Sequence, residues 1–191
     1  EVIKNPELIK LDVGIFALHL CLTAVFIAVP ITLQQKLHLP GEEHWLVYLT
    51  VMVFSFFAMV PFIIYGEKKQ QMKRTFLFAI SLLMLSAFSF VFTQANFTYF
   101  WCSLFFYFMA FNLLEASLPS LVSKLAPAAS KGTAMGVYST SQFLGAFVGG
   151  VSGGWLLSRY HEMGVYIMVG TVALLWFLVA RLMKNPTNET G

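Results

Sequence analysis

The sequence predicts an all-α membrane protein, a bundle of six transmembrane helices, and three observations carry that prediction. Of 191 residues, 58% are hydrophobic and only 11% charged, with a mean hydropathy of +0.75. A soluble domain of this size needs far more charge to cover its surface. The apolar residues fall into runs of about 20, the length that crosses a bilayer core of about 30 Å. None of the runs has the ten-residue alternation of a barrel strand, which leaves helices to satisfy the backbone in lipid.

Charges, Gly and Pro bound each run. The first span is Val13–Leu33, opening after Asp12 and ending before Gln34 and Lys36. The second, Trp45–Tyr65, lies between Glu43 and Glu67, and the third, Thr75–Thr93, follows the basic link "GEKKQQMKR". The fourth, Thr98–Val122, ends short of Lys124, and Pro119 inside it predicts a kink by removing a backbone donor. The fifth and sixth, Gly132–Leu157 and Gly164–Met183, are separated by Arg159 and Glu162. The expected organisation is a cytoplasmic linker at 1–12, the bundle at 13–183 and a cytoplasmic tail at 184–191. The chain opens on Glu1 with no signal-peptide pattern, as a piece of a longer protein would.

Lys and Arg set the orientation. With the amino end in the cytoplasm, Lys4, Lys10, Lys68, Lys69, Lys73, Arg74, Lys124, Lys131, Arg181 and Lys184 lie inside. Only Lys36 and Arg159 lie outside, so both ends are expected in the cytoplasm. Trp45, Tyr99, Trp101 and Tyr160 then fall at the outer boundary, where interfacial aromatics collect. The basic link between the second and third spans reads as an orientation signal that also contacts anionic lipid. Cys21 and Cys102 sit in apolar runs without disulfide or CxxC spacing and read as small buried hydrophobes.

The fifth span, "KGTAMGVYSTSQFLGAFVGGVSGGWL", carries glycines four apart: Gly132 and Gly136, Gly145 and Gly149, Gly149 and Gly153, Gly150 and Gly154. Helices in lipid associate through close van der Waals packing, which small residues at that spacing permit. Tight packing on more than one side of this helix is expected. Tyr138, Gln142, Gly145 and Gly149 share one stripe, either as hydrogen-bonding groups in a packed interface or as the edge of a polar cavity.

Isolated polar groups mark the candidate site. Glu115 is the one charge between Thr93 and Val122. It lies five residues past the middle of its span, about 7–8 Å toward the cytoplasm. An ionised carboxylate at that depth costs several kcal/mol unless paired, hydrated or protonated. Asn112, Glu115 and Pro119 share a face. Such a group marks a substrate or proton path, or else a structural carboxyl bonded to a neighbouring helix. His19, with Thr23 one turn on, is open to the same two readings as proton relay or interhelical hydrogen bond. No metal, nucleophile or phosphate-binding constellation emerges: His161-Glu162 lacks a second His four residues on. No enzyme activity, cofactor, metal or nucleic-acid partner is expected.

Taken together, "PFIIYGEKKQQMK", "FNLLEASLPSLVSKLAP" and "KGTAMGVYSTSQFLG", with "GIFALHLCLTAVFIAVP" more loosely, resemble the carboxyl-terminal half of YajR-type bacterial inner-membrane transporters of the major facilitator superfamily. The likeness runs over roughly residues 8–186. The resemblance implies helices seven to twelve of a twelve-helix carrier, working by alternating access with an amino-terminal six-helix half as partner. It further implies a small-molecule substrate, proton coupling of a drug-efflux kind, and a multi-pass location in the bacterial inner membrane. The candidate pathway residues are His19, Thr23, Asn112, Glu115, Tyr138 and Gln142.

By the same resemblance Gly66, Glu67 and Lys68 hold the reduced copy of the superfamily's loop motif, and the start of the fifth span, Lys131 and Gly132, faces the acid of the intact copy as a latch between halves. Helix packing is assigned to Gly136, Gly145, Gly149, Gly150, Gly153 and Gly154. Val25 departs from the pattern, standing where relatives are expected to be polar. The competing reading is a non-transporting membrane scaffold or assembly module that dimerises through its glycine face. Substrate and direction of transport are not legible.

Overall fold

The computed structural model describes residues 2–183, and the expected tail at 184–191 lies outside the described residues. Those described residues are helical apart from short connections, and no strand occurs among them. The helices are α1 (Pro6–Ile31), α2 (His44–Lys68), α3 (Met72–Thr93), α4 (Phe97–Leu125) and α5 (Lys131–Arg181).

Local chemistry sets the ends. α1 begins at Pro6, inside the stretch expected as linker, because Asn5 caps it. The Asn5 Oδ1 accepts from the Glu7 amide at 3.0 Å, Pro6 takes the first turn without a missing donor, and Glu7 complements the positive helix end. Asn96 caps α4 in the same way, accepting from the Tyr99 amide at 3.2 Å. α1 runs on through Pro30 into a π-helical turn at Thr32–Lys36, and α4 continues unbroken through Pro119.

The fifth and sixth expected spans are joined without a loop. α5 has 51 residues, far more than a single crossing of about 30 Å accommodates at about 1.5 Å per residue. The reversal falls at His161, whose φ of 57° and ψ of −165° leave the helical region. Contacts with α1 prove that the chain turns back. Before the break, Gly145 lies against Phe16, Gly149 against Leu20 and Gly153 against Ala24, so this limb runs parallel to α1. After it, Tyr166 meets Thr32, Val169 meets Cys21 and Trp176 meets Gly14, so the second limb runs antiparallel.

The other helices alternate in the same manner. Phe76 packs on Trp176 and Phe90 on Tyr166, which sets α3 parallel to α1. Phe100 at the start of α4 meets Phe90 near the end of α3, and Tyr48 of α2 stacks on Phe26. Six segments thus cross up and down, and both limits of the described chain lie at one end of the bundle. Lys10 Nζ donates to the Leu182 carbonyl at 2.9 Å, and Lys73 Nζ donates to that of Met183, tying that end together.

The core is held mainly by α1, α3, α4 and the second limb of α5, with Tyr107, Phe108, Phe90, Phe100, Tyr166 and Trp176 buried. α2 instead exposes Phe54, Phe56 and Phe57. Two expectations change. Cys21 is buried, but Cys102 of α4 is exposed, in an open groove between α3 and α4. Close approach of the glycine helix is one-sided: an added Cβ on Gly145 or Gly149 meets α1 backbone at 2.2 and 2.3 Å, while one on Gly136 or Gly154 meets nothing within 4 Å. Gly150 makes only an ordinary contact with Thr23.

Candidate functional site

Three helices bring their isolated polar side chains to one point. α1 supplies His19, α4 supplies Glu115 and the first limb of α5 supplies Gln142. The Gln142 amide nitrogen stands 2.8 Å from His19 Nε2 and donates to Glu115 Oε1 at 3.4 Å. His19 Nε2 and Glu115 Oε2 are 3.8 Å apart, with side-chain exposures of 13% and 37%. The Phe111 ring closes the site edge-on to the imidazole, with centroids 6.0 Å apart.

The geometry restricts the protons. An amide nitrogen is a donor twice over and an acceptor never. When it donates to both neighbours, His19 Nε2 is the acceptor and the imidazole proton sits on Nδ1; turned over, the amide oxygen accepts from Nε2–H instead. Adding a proton at Nε2 would set two donors face to face. It would expel the amide or turn it, and leave the imidazolium facing Glu115 directly.

The other candidates stand around this cluster without joining it. Thr23 Oγ1 donates to the His19 carbonyl at 3.0 Å within α1. Asn112 Nδ2 donates to Ser55 Oγ on α2 at 3.1 Å, so Asn112 links α4 to α2. Tyr138 is buried at 4% exposure, and its hydroxyl has no hydrogen-bond partner among the described residues, nor does Glu115 Oε2. Val25 is buried in the core at 1%, which accounts for its apolar character beside Thr23.

The latch candidates divide. Gly66 is buried where a Cβ would lie 2.8 Å from Thr75 Oγ1, so this position serves the approach of α2 to α3. Glu67, Lys68, Lys131 and Gly132 are exposed, and no ion pair joins the two groups among the described residues. Ser130 makes no side-chain cap, leaving the amino end of α5 open.

Sequence reading missed two participants. Ser55 is the partner of Asn112; a lone hydroxyl between Phe54 and Phe56 was the available signal. Asp12 lies two turns before His19 on the same partly exposed stripe of α1. Assigning residues 1–12 to a linker hid it. Among the described residues, no three His, Cys, Asp or Glu side chains gather as a metal-binding group.

A six-crossing apolar bundle with a half-exposed polar cluster on one face defines a membrane-embedded module of the kind carriers are assembled from. The chain belongs to the Major Facilitator Superfamily, whose family model matches residues 11–191. It is 44% identical over 186 residues to the inner membrane transport protein YajR of Escherichia coli K12, covering 97% of this chain and 41% of that protein. An uncharacterized transporter of Buchnera aphidicola subsp. Baizongia pistaciae is 30% identical over 189 residues, covering 95% of this chain and 46% of that protein. The chain thus spans less than half the length of the curated relatives it matches. Its fold is similar to that of the POT family transporter PepTSo, with a TM-score of 0.74 at 12% identity, covering 94% of this chain and 37% of that structure.

Proposed function

We propose that this bundle is the carboxyl-terminal half of a twelve-helix secondary carrier. It moves small solutes by rocking against an amino-terminal half, and it is proton-coupled and drug-efflux-like. The observation that carries this reading is the His19–Gln142–Glu115 cluster. Polar groups from three separate helices meet on a half-open face, at a depth where an unpaired charge is costly. Binding one proton there removes or pairs a charge and so changes the relative stability of conformers that hydrate the cluster differently.

The distribution of basic residues over the same bundle supports an orientation. Lys4, Lys10, Lys68, Lys69, Lys73, Arg74, Lys124, Lys131 and Arg181 belong to the end that holds both chain limits, whereas Lys36 and Arg159 belong to the other. The positive-inside rule makes the first end cytoplasmic, in an inner membrane. The exposed amino end of α5 at Lys131 and Gly132 is then on the side where a carboxylate of the other half would latch it, a contact worth about 0.3–1 kcal/mol from the helix terminus alone.

The test is a substrate-panel transport assay on the full-length protein, with and without an imposed pH gradient. Transport that responds to the gradient and loses that response in Glu115→Gln supports the reading. A pH-independent wild type, or a Gln variant with the wild-type pH profile, rejects it.

A further inference from the structure

A groove of about 560 Å³ lies away from the polar cluster, between α2 and α3. Its walls are apolar, formed by Pro61, Phe62 and Phe78, with the two phenylalanine rings stacked 5.2 Å apart and 9° from parallel. Tyr65, Gln71 and Arg74 stand at its upper end, where α2 stops at Lys68 and α3 starts at Met72. From Pro61 to Lys68 the helix climbs about 10 Å, the distance from upper acyl chain to head group.

We propose that this groove binds an anionic phospholipid, acyl chain along the aromatic wall and phosphate at Arg74. The shape and charge select such an occupant. The opening is polar only at the end where the helices leave the apolar layer. The link there carries Lys68, Lys69, Lys73 and Arg74 against the single carboxylate of Glu67. Lys73 is already engaged with the Met183 carbonyl. Arg74 is exposed, and one of its guanidinium nitrogens donates to Gln71 Oε1 at 3.3 Å, which fixes the fork while leaving its other donors for a phosphate. A protein segment in this place would have to neutralise the same cations and present a long apolar edge; a membrane lipid does both by construction. The proposal depends on the membrane setting and not on the transport reading.

The full-length protein is reconstituted in equimolar phosphatidylglycerol and phosphatidylcholine, extracted, and its retained lipids counted by native mass spectrometry. Phosphatidylglycerol is expected to be retained in preference. Arg74→Glu should reduce that retention at least about fivefold, since each basic residue near anionic lipid contributes about 1 kcal/mol and the substitution also adds an opposing charge. Arg74→Lys should restore most of it, and the exposure of Arg74 keeps the fold out of the comparison. Equal retention of the two lipids, an unchanged Arg74→Glu variant, or a crosslink from Phe78→Cys to another protein segment would overturn the assignment.

Discussion

Replacing Gly149 with Ala tests the packing that organises this bundle. The new Cβ would stand 2.3 Å from the Leu20 carbonyl oxygen and 2.8 Å from Leu20 Cα, all of it backbone that no rotamer change can move aside. Carbon and carbonyl oxygen normally meet at about 3.3 Å, so α1 and the first limb of α5 must separate locally by about 1 Å. A gap of that size forfeits a quarter to a half of the dispersion attraction along the contact, and overpacking of this kind costs about 1–3 kcal/mol. Opposing it, Ala is a better helix former than Gly by about 0.8–1 kcal/mol. The net expectation is a loss of up to about 2 kcal/mol for Gly149→Ala, and the same for Gly145→Ala, whose Cβ meets the Phe16 carbonyl at 2.2 Å. Gly136→Ala and Gly154→Ala, with nothing within 4 Å, should be neutral or gain up to about 1 kcal/mol in the same scale. Unfolding in detergent followed by circular dichroism separates the two pairs by sign. If all four variants shift together, the seam reasoning fails.

Other expectations follow from single contacts. Asn112→Leu removes the bond to Ser55, and interhelical hydrogen bonds in membranes average about 0.6 kcal/mol, so a loss of that order is expected in the same unfolding assay, with Ser55 still donating to the Met52 carbonyl. Tyr166→Phe deletes the 2.7 Å partner of Thr32 but leaves Thr32 bonded to the Ala28 carbonyl, so the cost should stay below about 1.5 kcal/mol. Lys131→Glu puts a negative charge at the open amino end of α5 where the proposed latch needs a positive one. Cysteine accessibility in the full-length carrier should rise on the cytoplasmic side and fall on the other, and unchanged labelling on both sides would count against the latch.

The fold was legible because lipid leaves few choices: a hydropathy of this kind with runs of this length admits only crossing helices. The limits of legibility lie at particular residues. Asn5 and Pro6 start α1 a turn or more early, a capping signal outweighed in the reading by Lys10 and Asp12. Arg159 and Glu162 place the reversal between 158 and 163, where it falls, but that a single residue at positive φ, His161, makes it without a loop was not legible. At the site, depth and helical face brought out His19, Glu115 and Gln142, but spacing within one helix says nothing about the neighbour across it. That is why Asn112 was grouped with Glu115, although its hydrogen bond goes to Ser55, and why the glycine helix was expected to pack on more than one side.

The glycine seam and the polar cluster are one construction. Gln142 lies three residues before Gly145 on α5, and His19 three after Phe16 on α1, so the two side chains that come within 2.8 Å reach toward each other across the Gly145–Phe16 contact, each from within one turn of it. Only helices approaching that closely allow a short amide side chain to reach both His19 and Glu115. Gly145→Ala should therefore do more than destabilise: by pushing α5 off α1 it lengthens the His19–Gln142 contact and changes the proton affinity of the cluster. Gly170→Ala provides the control, since its Cβ would meet the Phe88 ring at 2.6 Å, destabilising the second limb of α5 where it faces α3 and not the cluster. In the full-length carrier the pH profile of transport should move for Gly145→Ala and stay in place for Gly170→Ala at similar loss of stability. Equal profiles in the two variants would mean that the seam holds the helices without tuning the chemistry between them.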